Sequence, residues 1–305
     1  MLSLKIWGDR GTIPCPGADT VIYGGNTTCL EIRADERLVI VDMGTGIRPL
    51  GEWLMDHDLR EKGNIDADIF ITHTHWDHIM GFPVFTPAFI PSCTLRIRSP
   101  VSSGDETLKS ILGEQLSYRY WPVRLRELAA QIEYDQIKET TMDLGKGLRV
   151  TTKYLNHPIL CLGYRFDYQG KSIVTAYDTE PFRNVFPTDP SESGYDKVVA
   201  LEGEAAAREE NEKLLCFYRD ADILIHDSQY TDEEFYPAKF GWGHSTYEQA
   251  ISAACGAAVK RLLFFHHDPK RTDAQLAELE ERYRRENEGA GPEFITAREG
   301  LTLEV

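Results

Sequence analysis

Thr72-His73-Thr74-His75-Trp76-Asp77-His78 sets four side chains that bind divalent metals within six residues, directly after the apolar run Ile69-Phe70-Ile71. An apolar run bounded by polar residues reads as a buried strand. The four side chains then sit on the loop leaving its C-terminal end, where open α/β sheets carry their chemistry. His73 and His75 can converge on one ion, and Asp77 and His78 can reach a second beside it. Neutral imidazole and carboxylate suit zinc, and also manganese or iron. The competing reading is a polar loop with incidental histidines. It fares worse, because such groups rarely crowd a buried strand end without paired or metal partners.

The pattern His-x-His-x-Asp-His resembles the signature of the metallo-β-lactamase superfamily. That resemblance implies three further ligands: a lone His, a bridging Asp and a last His, each after an apolar run. His157 stands in Asn156-His157-Pro158, between the strand-like run 148–155 and Leu162-Gly163-Tyr164-Arg165-Phe166. Asp178 closes Ile173-Val174-Thr175-Ala176-Tyr177-Asp178. His266 follows Leu262-Leu263-Phe264-Phe265, with His267 as the alternative ligand. By resemblance, His73, His75 and His157 hold the first metal; Asp77, His78 and His266 hold the second; Asp178 bridges them. The expected cofactors are two divalent ions, zinc first and manganese second. Such a pair suits hydrolysis, since it generates a hydroxide nucleophile near neutral pH and neutralises charge on the substrate. Asp77 counts among the catalytic residues on this reading.

Within the superfamily, Ile223–Asp227 with Ser228-Gln229-Tyr230 and Gly243-His244-Ser245-Thr246 resemble motifs of the tRNase Z-like phosphodiesterases. The resemblance gives His244 the task of helping a proton reach the leaving alkoxide, for which imidazole has a suitable pKa. The other reading of His244 is a packed helix-entry residue. Ser245 with Glu248 makes a capping-box pattern ahead of Ala250 and Ile251. His226 reads as structural. Gly8-Asp9-Arg10-Gly11-Thr12, Tyr23-Gly24-Gly25-Asn26-Thr27 and Val39-Ile40-Val41-Asp42 resemble bacterial cyclic-nucleotide phosphodiesterase-like members of that branch. Asp42, at a strand end, is read either as a partner of a ligand histidine or as a turn carboxylate.

The 305 residues suffice for a large core, and the candidate ligands span positions 73 to 266, so one domain must gather them. Strands are expected near 3–8, 28–33, 37–42, 67–71, 94–98, 148–155, 163–168, 171–175, 222–226, 261–265 and 300–304. Helices are expected near 105–117, 124–131, 204–218, 245–258 and 273–287. This mixture fits an α/β (α+β) chain, and the resemblance implies a four-layer αββα sandwich. The expected organisation is a single domain, 1–305, with residues 181–221 forming a cap, a dimer arm or a plain surface excursion.

The formal charge is −16, and no Lys/Arg cluster stands out beyond Arg282, Arg284 and Arg285, which lie among glutamates. Nucleic-acid binders usually carry a basic face. On that ground nucleic acid is an unlikely partner and a small phosphodiester is the expected substrate, since two metal ions supply positive field locally. The six cysteines form no Cys-x-x-Cys pair. Met1-Leu2-Ser3-Leu4-Lys5 runs straight into a strand without a signal peptide, and no apolar stretch is of membrane-spanning length. A cytoplasmic protein without a membrane partner is expected; the resemblance adds a homodimer. The functional expectation is hydrolysis of 3′,5′-cyclic nucleotides. The alternatives are a tRNA 3′-end endonuclease and a thioester or lactone hydrolase. A diiron redox protein on the same scaffold would replace a first-site histidine with a carboxylate, and His75 is kept.

Overall fold

The computed structural model describes residues 1–100, 106–236, 238–289 and 291–305. Among the described residues, fourteen strands form two seven-stranded sheets. The first comprises β1 (Leu2–Gly8), β2 (Cys29–Ala34), β3 (Arg37–Val41), β4 (Asp66–Phe70), β5 (Thr94–Ser99), β6 (Gln131–Gln136) and the last strand, β14 (Thr302–Glu304), in the order β14-β1-β2-β3-β4-β5-β6. The second comprises β7 (Thr141–Asp143), β8 (Arg149–Tyr154), β9 (Leu162–Tyr168), β10 (Lys171–Ala176), β11 (Ile223–Asp227), β12 (Arg261–Phe265) and β13 (Glu293–Thr296), in the order β13-β12-β11-β10-β9-β8-β7. Each sheet has an antiparallel half and a parallel half: β3 to β6 run parallel in one, β10 to β13 in the other. The parallel strands β4, β11 and β12 are buried on both faces and mostly apolar, as strands covered on both sides tend to be.

Three apolar layers follow. Ile6, Val41 and Phe70 of the first sheet meet Tyr164, Ile225 and Phe265 of the second in the central one. Ile40, Ile69 and Ile97 face outward against Leu50, Phe82 and Leu112. Val174, Leu224 and Phe264 face outward against Phe217, Ile251 and Tyr283 on the other side. The result is the expected αββα sandwich.

The expected 11 strands are present to within about two residues. Three are additional: β6, β7 and β13. The expected helix 124–131 is absent. Leu125–Glu127 makes one 3-10 turn, and the chain then enters β6 at Gln131. In β6 only Ile132 and Tyr134 pack inward, a period-two pattern that the preceding leucines obscured. The helix expected from 105 runs Leu108–Gln115, with Thr107 as its N-cap; residue 105 lies outside the described residues. The helix Tyr247–Gly256 is capped by Thr246, whose side chain accepts from Gln249 N, so the box is Thr246/Gln249 and not Ser245/Glu248. Within 181–221 an irregular stretch leads to the 22-residue helix Lys197–Tyr218. Its last turn buries Leu214, Phe217 and Tyr218, while Val198 and Leu201 in its first turns are exposed. Among the described residues no helix is long and apolar enough to cross a membrane.

Candidate metal centre

Apart from His157, which follows the antiparallel strand β8, the candidate ligands leave the C-terminal ends of parallel strands, where backbone ends and helix starts surround a common cleft. His73, His75, Asp77 and His78 follow β4; Asp178 follows β10; Asp227 ends β11; His266 follows β12. Each side chain must turn sharply inward from its strand. Asp42 (φ 64), Asp178 (φ 57) and His266 (φ 62) do so in the left-handed region. Asp and His tolerate this better than most residues, and such strain concentrates at functional sites.

Two groups result. In the first, His73 Nε2 lies 2.9 Å from His75 Nδ1, and His157 Nε2 lies 3.2 Å from that same Nδ1. In the second, Asp77 Oδ2 is 3.3 Å from His78 Nε2 and 3.2 Å from His266 Nε2. Asp178 serves both: Oδ1 lies 3.3 Å from His78 Nε2 and 3.2 Å from His266 Nε2, while Oδ2 lies 3.6 Å from His73 Nε2. Every residue expected to bind metal therefore falls in one of these two groups. His78 Nε2 and Asp178 Oδ1 are buried and close, yet neither has a hydrogen-bond partner. Lone pairs that aim at a common centre approach one another in this way without bonding each other.

The donors are oriented from behind. Asp42 Oδ2 accepts from His78 Nδ1 at 2.9 Å, and Asp42 Oδ1 accepts from Thr72 N at 2.7 Å. His157 Nδ1 donates to Gly243 O at 3.0 Å. Both arrangements leave Nε2 as the free lone pair, the usual way a ligand imidazole is held. Gly243 must be glycine: its φ is +80°, and a Cβ there would meet the His157 ring 2.3 Å away. Gly11 meets the same demand beside His266, whose ring would lie 2.5 Å from a Cβ. The next residue, Thr12, has φ 68 and donates its N–H to Asp77 Oδ2 at 2.7 Å.

Burial pushes His73 well below its ordinary value, and burial takes His157 down to about 4. Both are then neutral donors at physiological pH. Burial opposes ionisation of Asp77 and Asp178, but the surrounding imidazoles win and hold both carboxyls well below the usual range. His78 is raised well above its ordinary value: burial works against its charge, and Asp178, Asp77 and Asp42 overcome it. Two buried carboxylates among neutral donors need positive charge, and protons and metal ions compete for it. This donor set fits two divalent cations.

His244 stands beside the second group. Its Nδ1 lies 2.9 Å from Asp227 Oδ2, and its ring stacks on His266 with centroids 5.1 Å apart. Its pKa is pushed up to about 9; burial opposes this, but Asp227 first, then Asp178 and Asp77, prevail. Cations on those carboxylates would offset part of that pull. Asp227 also accepts from Asp178 N at 3.0 Å, Ser245 N at 3.1 Å and Gln229 N at 3.2 Å. Sequence reasoning placed Asp227, Thr12 and Gly11 inside motifs but gave none of them a role of its own. The signal for Asp227 was present, a carboxylate closing an apolar run, as Asp178 nearly does. His267 faces away from the cleft: its Nε2 bonds Ala297 O at 3.0 Å, and burial takes its pKa down to about 3. His226 lies edge-on to Tyr218, with Nδ1 2.8 Å from Asp227 O. Asp42 bonds His78, one of the expected ligands, and is not merely a turn carboxylate.

Residues 22–92 match the family described as the metallo-beta-lactamase superfamily. The chain is similar to the ribonuclease Z of Thermoplasma volcanium, with 30% identity over 72% of this chain and 78% of that protein. Among solved structures it superposes on the metallo-beta-lactamase fold protein YhfI from Bacillus subtilis with a TM-score of 0.64 at 16% identity, covering 100% of this chain and 99% of the other. The short form of human tRNase Z gives 0.62 at 18%, with 99% of each chain covered. Relatives named for a ribonuclease correct the expectation that nucleic acid is an unlikely partner. A net charge of −16 is a sum over the whole surface. At physiological salt a charge is screened beyond roughly 8 Å, so acids on distant helices do not set the potential at the cleft. The chain belongs to the metallo-beta-lactamase superfamily, in its ribonuclease Z-like branch, and is a metal-dependent hydrolase.

Proposed function

We propose that this protein is a binuclear-metal phosphodiesterase that cleaves RNA, as its ribonuclease Z relatives are named to do. The observation that carries the reading is the split carboxylate of Asp178, one oxygen toward each donor group, with the Asp227–His244 pair alongside. His73, His75 and His157 would hold one ion, and Asp77, His78 and His266 the other, with Asp178 shared; zinc suits this set first and manganese second. Bound there, the ions would acidify a water and neutralise charge on the phosphoryl oxygens. Asp77, pinned by Thr12 N, keeps its position while charge redistributes. Asp227 fixes the His244 ring through Nδ1 and leaves Nε2 to face the cleft. When the bond from phosphorus to the leaving oxygen breaks, Nε2 delivers its proton to that oxygen.

A second reading, hydrolysis of a small diester such as a 3′,5′-cyclic nucleotide, is favoured by the charge of −16. One panel separates the two. The purified protein is assayed on precursor tRNA, cyclic nucleotides, bis-p-nitrophenyl phosphate and a lactone, before and after exhaustive chelation. Cleavage of precursor tRNA and of the p-nitrophenyl diester, lost on chelation and restored by zinc or manganese, is the expected result. Turnover of cyclic nucleotides with precursor tRNA left intact would transfer the assignment to the small diester, and turnover of the lactone alone would remove both.

A further inference from the structure

Large aromatic side chains adjoin the donor residues along the chain, with their rings in solvent. Trp76, between His75 and Asp77, is 74% exposed; Trp242 is 53% exposed and Phe240 52%. Indole rings ordinarily bury most of their area, so two exposed ones beside a site call for a partner. Both are fastened to the first donor group. Trp76 follows His75, whose Nδ1 lies 3.2 Å from His157 Nε2; Trp242 precedes Gly243, whose carbonyl accepts from the other nitrogen of His157 at 3.0 Å. Trp242 and His244 are two residues apart, at most about 7 Å along the chain. That separation is within reach of a nucleotide whose phosphate lies at His244.

Cations accompany two of these rings, Trp242 and Phe240. Lys239 Nζ lies 4.0 Å from the Trp242 ring centroid, and Trp242 N donates back to Lys239 O at 3.2 Å. The Arg183 guanidinium packs on the face of Phe240 and bridges to Glu180 at 3.3 Å. Glu180, two residues past Asp178, also accepts from Gly241 N at 3.1 Å. The aromatic stretch is thereby tied to the bridging carboxylate's own loop. Ring faces interleaved with cations are what single-stranded nucleic acid requires: every base has a face to stack, and the cations meet its phosphates. A duplex offers no such faces, because its bases already stack on one another.

We propose that Trp242 and Trp76 are stacking platforms for unpaired nucleobases flanking the scissile phosphate, so that the substrate is selected as single-stranded at the point of cleavage. This rests on the reading of the site as an RNA phosphodiesterase.

The test measures binding apart from turnover. Fluorescence anisotropy of a labelled single-stranded oligoadenylate is followed in a His244→Ala background, with metals present, so that the probe stays intact. Trp242→Ala and Trp76→Ala should each weaken binding by roughly 5- to 100-fold, the scale of one lost base stack. Trp242→Phe should recover most of it. An abasic strand or a duplex of the same length should bind the parent weakly and hardly respond to either change. In the His244-intact protein, Trp242→Ala should reduce kcat/KM on the oligonucleotide more than on bis-p-nitrophenyl phosphate. Unchanged affinity in both alanine variants, equal affinity for the abasic strand, or an equal loss on both substrates would overturn the proposal. A parent protein that binds with this tryptophan dependence but hydrolyses no phosphodiester would keep the stacking proposal and remove the hydrolase reading.

Discussion

Asp227 carries more of the site than its place outside the two donor groups suggests. One carboxylate accepts from His244 Nδ1 and from the backbone N–H groups of Asp178, Gln229 and Ser245. It therefore links the Asp178 loop to the His244 imidazole. His244→Ala should keep its metals yet lose about 10²- to 10⁴-fold in turnover, the usual scale for acid–base assistance. The loss should shrink on a p-nitrophenyl diester, whose leaving group is stable as an anion. Elemental analysis beside kinetics on good and poor leaving groups checks this; loss of a metal, or equal slowing of both substrates, contradicts it. Asp178→Ala should behave differently and lose metal and activity together, because its two oxygens face separate donor groups. Residue chemistry of this kind was legible in the sequence wherever a metal-binding side chain closed an apolar run, as at His73, Asp178 and His266. It was not legible for Thr12 and Gly11. Thr12 works through a backbone N–H and Gly11 through the absence of a Cβ, and neither role leaves a side-chain signature.

At the scale of elements, the strands that carry ligands were the readable ones, because parallel strands buried on both faces are continuous apolar runs. The edge strand β6 and the short strands β7 and β13 were not, since one polar face and three to six residues give little periodicity. The parallel strands of the second sheet share an anchor at their starts. Asp222 accepts from Ser172 N at 2.8 Å and from Lys260 Nζ at 2.7 Å, joining the beginnings of β10, β11 and β12. Burial tends to raise its pKa, but the bonds from Lys260 and Ser172 outweigh this and hold it below the ordinary value. A carboxyl whose folded pKa is depressed contributes stability above its unfolded pKa of about 4 and loses it as pH falls through the folded value. Asp222→Asn should thus cost about 1 kcal/mol at neutral pH, with the gap to the parent closing below roughly pH 4. Denaturant midpoints measured across pH 3 to 7 check this, and a gap independent of pH contradicts it. Another element-scale test is the cap at Thr246, which starts the helix directly after His244. Thr246→Ala should destabilise by about 1 kcal/mol, read as a lower thermal midpoint.

Over the whole molecule, the donor cluster draws its residues from both sheets. His73, His75, Asp77 and His78 come from the first sheet, and His157, Asp178 and His266 from the second. Elsewhere the sheets meet through the apolar central layer and through a few hydrogen bonds, such as that from Tyr164 Oη to Ile71 O at 2.6 Å. Two buried carboxylates at this junction are costly without a compensating cation, so the folded chain should bind metal far better than the unfolded one. Ligand that binds only the folded state stabilises it by about 2.7 kcal/mol at a hundred times its Kd. For a chain of this size that corresponds to a rise of roughly 4 °C in thermal midpoint. Chelation should therefore lower the midpoint of the parent protein by that amount, and zinc or manganese should restore it. Asp178→Ala removes the carboxylate shared by both groups, so its midpoint should respond far less to chelator or metal. His244→Ala, which leaves both donor groups intact, should respond as the parent does. Scanning calorimetry of the three proteins with and without chelator decides the matter. An Asp178→Ala protein that gains as much stability from metal as the parent would mean that the ions do not join the sheets through Asp178, and the shared-carboxylate arrangement would have to be abandoned with it.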